Sequence, residues 1–215
     1  METEKDTYKT ITKPSEEVLY KEKGSKFFGY AFPVVDEQEI KEHLDQLKKS
    51  HHNARHWCYA WQLGKKYELH RANDDGEPSN SAGMPIYGQL QSFDLTNVLV
   101  VVVRYFGGTK LGVGGLVQAY KTTAQSTLEA SEIVERTIDD TFFLRFEYPE
   151  MNTVMRILKE ENITLVKQKM DLSCEFEIAV RQKDALRIHE VFSNTYKVDI
   201  LTLSEIEEEK NKASQ

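Results

Sequence analysis

Cysteine is scarce in this 215-residue chain. The two present, Cys58 and Cys174, lie far apart and outside any Cys-x-x-Cys, which excludes a disulfide framework and a four-thiolate zinc site. Long apolar runs are missing as well: the longest, Val98 to Val103, falls far short of a membrane span. The first residues, Met1-Glu-Thr-Glu-Lys-Asp-Thr, lack the apolar core of a secretory signal, so a cytoplasmic protein with no membrane partner is expected. Positive charge is in deficit, with 28 Lys and Arg against 35 Asp and Glu, a net of −7. A molecule so charged is not, as a whole, a generic polyanion binder. No period of roughly 20–50 residues repeats. Apolar material is present in ordinary measure: 40% hydrophobic residues exclude a disordered chain and suffice for the core of one large or two small domains.

Residues 1–14 and 205–215 are polar and read as a ragged terminus and a charged tail or solvated helix end. Between them the hydrophobic pattern predicts two strands from Val18 to Val34 turning at Gly24. A helix capped by Asp36, with Ile40, Leu44 and Leu47 on one face, follows. A strand over 55–63 has Trp57, Tyr59 and Trp61 on one side and His56, Cys58 and Ala60 on the other. Residues 66–71 pair with it across Gly64. Asn73 to Ser81 is loop, a short helix covers 83–91, and Val98–Arg104 is a buried strand. It leads through a glycine-rich turn, Gly107–Gly115, into a helix reaching about Ser131. Beyond residue 135 the pattern becomes βαββαβ, the split arrangement of ferredoxin-like domains. Two α+β domains are therefore expected, 1–134 and 135–204, followed by the tail at 205–215.

Three motifs have the residues for chemistry. The first is Arg104-Tyr-Phe-Gly-Gly-Thr-Lys-Leu-Gly-Val-Gly-Gly115, which leaves a buried strand and enters a helix. Backbone amides and a helix N-terminus there can hold an anion, with Arg104 and Lys110 adding charge. The spacing is neither a Walker A loop nor a dinucleotide fingerprint. A tight structural turn under Tyr105 and Phe106 is the other reading. The second motif is Arg71-Ala-Asn-Asp-Asp-Gly-Glu-Pro-Ser79. Its carboxylates, Asp74, Asp75 and Glu77, can cap backbone amides or pair with Arg71, act as an acid/base pair, or hold a cation. The third is His56-Trp-Cys58, where an imidazole and a thiol share a strand face; a Cys/His nucleophile stands against a buried structural cysteine. No metal and no cofactor are implied. Residues 46–67 and 95–128 contain no Asp or Glu but include Arg55, Lys65, Lys66, Arg104 and Lys110. A locally basic groove can thus form on an acidic protein.

The Arg71–Ser79 motif, Ala82-Gly83-x-Pro85, the segment Asn97 to Leu116 and Ala119-Tyr120 strongly resemble the IMPACT/YigZ family. Ser25-Lys26-Phe27 and His52-x-Ala-x-His56-x-Cys58-x-Ala60 fit it too. The residues carrying the resemblance include Gly76, Pro78, Gly83, Pro85, Gly112, Gly114, Gly115 and Tyr120. The length and layout look like the bacterial two-domain branch. The resemblance implies a first domain shaped like domain IV of elongation factor G and certain ribosomal-protein βαβ domains, with a left-handed crossover. It implies a ferredoxin-like second domain similar to domain V. Asn80 and Ser81 stand where the family usually has Gly-Thr, and Gln118 where it usually has Arg.

Two functions are expected from these readings. One is a translation-associated regulatory module that binds ribosome or RNA, or a translation-related protein, with Arg55, Arg104 and Lys110 against phosphates, Gly107 and Gly108 in the turn, and Tyr105 or Phe106 stacking on bases. The other is a hydrolase acting on a small anionic substrate between the Asp74–Glu77 and Arg104–Gly115 loops.

Overall fold

The computed structural model describes residues 6–171 and 173–213, so Leu172, in the last but one expected strand, and both chain ends lie outside the described residues. The chain divides into two compact units, Thr7–Arg136 and a second comprising residues up to Asp6 together with Thr137 onward.

In the first unit, β1 (Thr7–Ile11) is followed by β2 (Val18–Glu22) and β3 (Ser25–Pro33). The β2–β3 hairpin turns through Lys23 and Gly24, both at positive φ. Then come α1 (Glu37–Ser50), β4 (His56–Leu63), β5 (Leu69–Asn73), α2 (Gly83–Ser92), β6 (Val98–Tyr105), α3 (Gly112–Glu129) and β7 (Ile133–Thr137). The main sheet has the order β2-β3-β6-β4-β5. Its centre is β6, antiparallel to both β3 and β4 and buried from Val98 through Arg104. A continuous Val/Leu run suits a strand covered on both faces. The face with Phe27, Ala31, Cys58, Ala60, Val100 and Val102 packs against Ile86, Leu90, Leu116, Ala119 and Tyr120 of α2 and α3. The opposite face, with Trp61, Leu99, Val101 and Val103, packs against Ile40 and Leu47 of α1. Asp36 accepts from the Glu39 amide and so starts α1 as its sequence position predicts.

The N-terminal segment departs from expectation. Thr7–Ile11 is not ragged: it pairs with β7, and Ile11 is buried. The partner strand lies more than a hundred residues away, beyond the reach of a local pattern. Strand β5 begins at Leu69 rather than 66 because Gly64 and Tyr67 both take positive φ in the connection.

The second unit contains β8 (Asp139–Phe146), α4 (Met151–Glu160), β9 (Thr164–Met170), β10 (Cys174–Arg181), α5 (Ala185–Ser193), β11 (Val198–Thr202) and α6 (Leu203–Ala213). The sheet order is β11-β8-β10-β9, with every pairing antiparallel. Phe142, Leu144, Phe146, Phe176 and Ile178 form its core with Val154, Ile188 and Phe192 of the helices. Residues 205–213 are helical, as the helix-end reading of the charged tail has it, although Ile206 is buried rather than solvated. Among the described residues, no helix is long and apolar enough to cross a membrane.

Candidate functional site

Register brings the motif residues together. Arg104 lies opposite Phe27 on β3 and His56 on β4, so all three share the sheet face that carries α2 and α3. Tyr120 descends from α3 onto the same point, its ring edge-on to Phe27 at 5.2 Å.

The carboxylates of the 74–83 loop are committed to structure. Asp74 Oδ1 accepts from the amides of Ala82 (2.9 Å) and Gly83 (2.8 Å), and Oδ2 from Asn80 (2.8 Å). Ala82, at the start of α2, has no side-chain oxygen, and Asp74 serves those first-turn amides from across the loop. Asp75 Oδ2 accepts from the Trp57 amide at 2.7 Å, and its carbonyl accepts from His56 Nδ1 at 2.8 Å. A carbonyl only accepts, so the His56 proton sits on Nδ1. Glu77 pairs with Arg104 rather than Arg71: Arg104 Nη1 lies 2.6 Å from Glu77 Oε1, and both side chains are almost fully buried. Tyr120 Oη donates to the same Oε1 at 2.9 Å. Arg71 is exposed on β5.

Arg104 is therefore not a surface cation. Nη2 reaches Ser25 Oγ at 3.5 Å, while the guanidinium carbon stands 5.5 Å from the Phe27 ring and 5.7 Å from the Phe106 ring. The Nε atom is buried without a hydrogen-bond partner. Cys58 Sγ lies 3.0 Å from the Asp74 carbonyl and 3.3 Å from Tyr120 Oη, the two acceptors open to its single hydrogen. Burial pushes both the Cys58 thiol and the Tyr120 phenol well above their ordinary ranges. Cys58 stays a neutral thiol, and His56 is engaged with Asp75, so the pair lacks the geometry of an activated nucleophile.

The glycine segment divides in two. Gly107 packs so closely on the β2–β3 turn that a Cβ there would stand 1.9 Å from the Gly24 carbonyl carbon. Gly108 and Gly112 take positive φ and face open space. Helix α3 already begins at Gly112, so Gly114 and Gly115 form its first turn rather than the turn before it. No side chain caps that N-terminus. Lys110 and Arg55 are exposed, and Arg55 donates its own amide to the Arg104 carbonyl at 3.4 Å. Pro78 is exposed, Pro85 half-buried. Asn80 takes φ +60, which explains how it replaces a glycine: asparagine tolerates the left-handed region better than most residues. Ser81 Oγ donates to the Pro78 carbonyl at 2.6 Å, and Gln118 is an exposed partner of Thr122.

Strand β6 ends at Tyr105, and the next residue, Phe106, is 45% exposed. Gly24, Lys26, Phe28, Tyr105 and Phe106 line an open cleft of about 320 Å³. Tyr105 crosses Phe28 edge-on at 5.6 Å and contacts His51 Nδ1 at 3.0 Å. Tyr30 belongs to no motif and His51 lies just upstream of the His56 motif; the alternation Phe28, Tyr30, Phe32 along β3 is the signal that could have put Tyr30 on this face. A larger cleft, about 410 Å³, lies on the second unit between Phe143, Arg145, Lys167, Lys169 and Ile206. It contains no motif residue, and Arg145 is held by Glu175 and Glu209. Among the described residues, no group of three His, Cys, Asp or Glu side chains could hold a metal ion.

The Impact N-terminal domain profile matches residues 23–128, which contain the whole cluster. The chain is 35% identical over 178 residues to IMPACT family member YvyE of Bacillus subtilis (strain 168), covering 83% of this chain and 82% of that protein. It is 31% identical over 138 residues to IMPACT family member YigZ of Escherichia coli (strain K12), covering 63% and 68%. A crystal structure described as that of a hypothetical protein shares the fold with a TM-score of 0.67 at 22% identity, over 93% of this chain and 98% of that one. With the Arg104–Glu77–Tyr120 cluster built from its motif residues, the chain belongs to the IMPACT family.

Proposed function

We propose that this chain is a translation-associated regulatory protein that binds single-stranded RNA, ribosomal RNA included, through the tip of its first unit. The observation that carries the reading is Phe106. A large ring, 45% exposed, is held at the end of the most buried strand and braced from behind by the Arg104 guanidinium. It stands beside a cleft walled by Phe28, Tyr105 and Lys26, and four residues before Lys110. Exposed aromatics interleaved with cations are what a single strand needs: bases stack on the rings and phosphates meet the charges. Arg104 contributes as the brace of Phe106, while Lys26, Lys110 and Arg55 supply the exposed charge. The uncapped N-terminus of α3 adds donors for phosphate, and the unhindered backbone at Gly108 lets a strand approach them.

Two further considerations support this reading. The family resemblance implies likeness to elongation factor G domains, and the β11-β8-β10-β9 order supports a ferredoxin-like assignment for the second unit. A hydrolase is less well supported, because Asp74, Asp75 and Glu77 already serve Ala82, Gly83, Asn80, Trp57, Arg104 and Tyr120. A cytoplasmic location accompanies the proposed role. Ultraviolet crosslinking in cells, with adducts mapped by mass spectrometry, tests the surface. Nucleotide adducts are expected on the peptide containing Tyr105 and Phe106; adducts elsewhere, or protein-only crosslinks at this tip, would contradict it.

A further inference from the structure

Behind the cleft, a chain of hydrogen bonds runs from Tyr105 to a carboxylate. Tyr105 Oη lies 3.0 Å from His51 Nδ1, and His51 Nε2 lies 2.6 Å from Tyr30 Oη. Tyr30 Oη donates in turn to Glu17. The elements that place these groups are the segment before β2 (Glu17), β3 (Tyr30), the end of α1 (His51) and β6 (Tyr105). Phe28 packs on both His51 and Tyr105.

With Glu17 as a carboxylate and His51 neutral, the geometry assigns a direction to each proton in this chain. A carboxylate only accepts, so the single Tyr30 hydrogen goes to Glu17. The Tyr30 oxygen must then accept from His51, which places the imidazole proton on Nε2. Burial holds His51 below its ordinary range, which favours the neutral ring with one proton. Nδ1 is consequently an acceptor, and the Tyr105 hydroxyl must donate to it. The Tyr105 hydrogen is thus spent on His51, and its oxygen has only lone pairs left for a further partner.

We propose that the cleft beside Tyr105 is a nucleobase subsite, in which the Glu17–Tyr30–His51 chain fixes the Tyr105 oxygen as an acceptor, so that the cleft takes an unstacked base presenting an N–H edge and disfavours a phosphate. The proposal rests on the RNA-binding reading above and adds what the cleft itself holds. The rings of Phe28, Tyr105 and Phe106 provide apolar walls for a flat heterocycle. Lys26, opposite Tyr105 in the β3–β6 register, supplies a donor for a ring nitrogen or carbonyl beside that N–H. A phosphate oxygen facing the lone pairs of Tyr105 would be repelled, so phosphates belong at Lys110 and the glycine turn instead.

Two measurements on the full chain test this. Long-range proton–nitrogen NMR correlation above neutral pH reads the His51 tautomer directly. A proton on Nε2 is expected, and a proton on Nδ1 would overturn the chain whether or not RNA binds. Binding of octa-adenylate is then compared with an abasic ribose-phosphate octamer. The abasic chain should bind roughly tenfold more weakly, the loss of a stacked base. Tyr105→Phe keeps the ring and removes the acceptor, so it should weaken octa-adenylate by about fivefold, one hydrogen bond, and leave the abasic chain unchanged. Equal affinity for the two oligomers in the wild type overturns the subsite while leaving phosphate-driven RNA binding in place. No binding of either oligomer overturns both readings.

Discussion

Glu77 and Arg104 illustrate how a surface motif in the sequence becomes an internal brace. Both side chains are nearly fully buried, with 2.6 Å between their charged atoms. A pair of this kind contributes little over an apolar replacement, but removing one partner strands the other charge at a cost of about 3–5 kcal/mol. Glu77→Ala is therefore expected to lower unfolding free energy by about 3 kcal/mol in denaturant titrations. The Glu77→Leu, Arg104→Met double variant should recover most of it. A double variant as unstable as the single one would show that the pair itself stabilises the unit. The acidic motif was legible in the sequence as a loop organiser, with backbone amides or Arg71 as its partners and Arg104 as a partner for Asp74 or Asp75 but not for Glu77. Arg104 reaches Glu77 only because the β3, β6 and β4 register delivers it there, and register is invisible to a local pattern.

His51 gives a second prediction at this scale. Burial holds its folded pKa below the usual value, with Glu17 opposing the shift. The unfolded chain binds the proton more readily, so this contribution is complete above about pH 6.5 and is lost as pH falls below that value. The melting temperature should decline from about pH 6.5 downward, and His51→Asn should lack part of that decline. Identical slopes for the two proteins would contradict the assignment.

Among the elements, the meeting of the β2–β3 turn with the end of β6 positions the site. Gly107 sits where a Cβ would overlap Gly24 and Ser25 backbone atoms, at 1.9 and 2.1 Å, so backbone would have to move. Gly114 faces open space in the first turn of α3. Gly107→Ala should cost about 2 kcal/mol and displace the cleft, whereas Gly114→Ala should be neutral or stabilising by about 0.5 kcal/mol. Equal effects on thermal unfolding would mean that the close approach is not rigid. The unbroken apolar run revealed β6, which is buried on both faces, and sequence periodicity revealed α1, β3 and β4 because each buries a regular face. It missed β1 and β7, which are short and find their partners across the length of the unit. It also grouped all five glycines of 107–115 into one turn, because glycine composition does not say where a helix begins.

For the whole molecule, each unit has its own core, and the net charge of −7 opposes nucleic-acid binding except where acidic residues are excluded. Residues 95–128 exclude them, and the tip of the first unit draws Phe106 and Lys110 from that stretch. Sequence composition pointed to this stretch but left Arg104 open between a surface cation and a partner of Asp74 or Asp75, since burial of an arginine depends on a partner that the sequence does not locate. The most direct measurement of the central claim is RNA affinity as a function of salt for the wild type, Lys110→Ala and Phe106→Ala. On a single strand each phosphate contact contributes about 0.7 to the slope of log affinity against log salt. Lys110→Ala should reduce the slope by about that amount, while Phe106→Ala should weaken binding roughly tenfold with the slope unchanged. Superimposable salt curves for all three proteins, or no binding at low salt, would contradict the account.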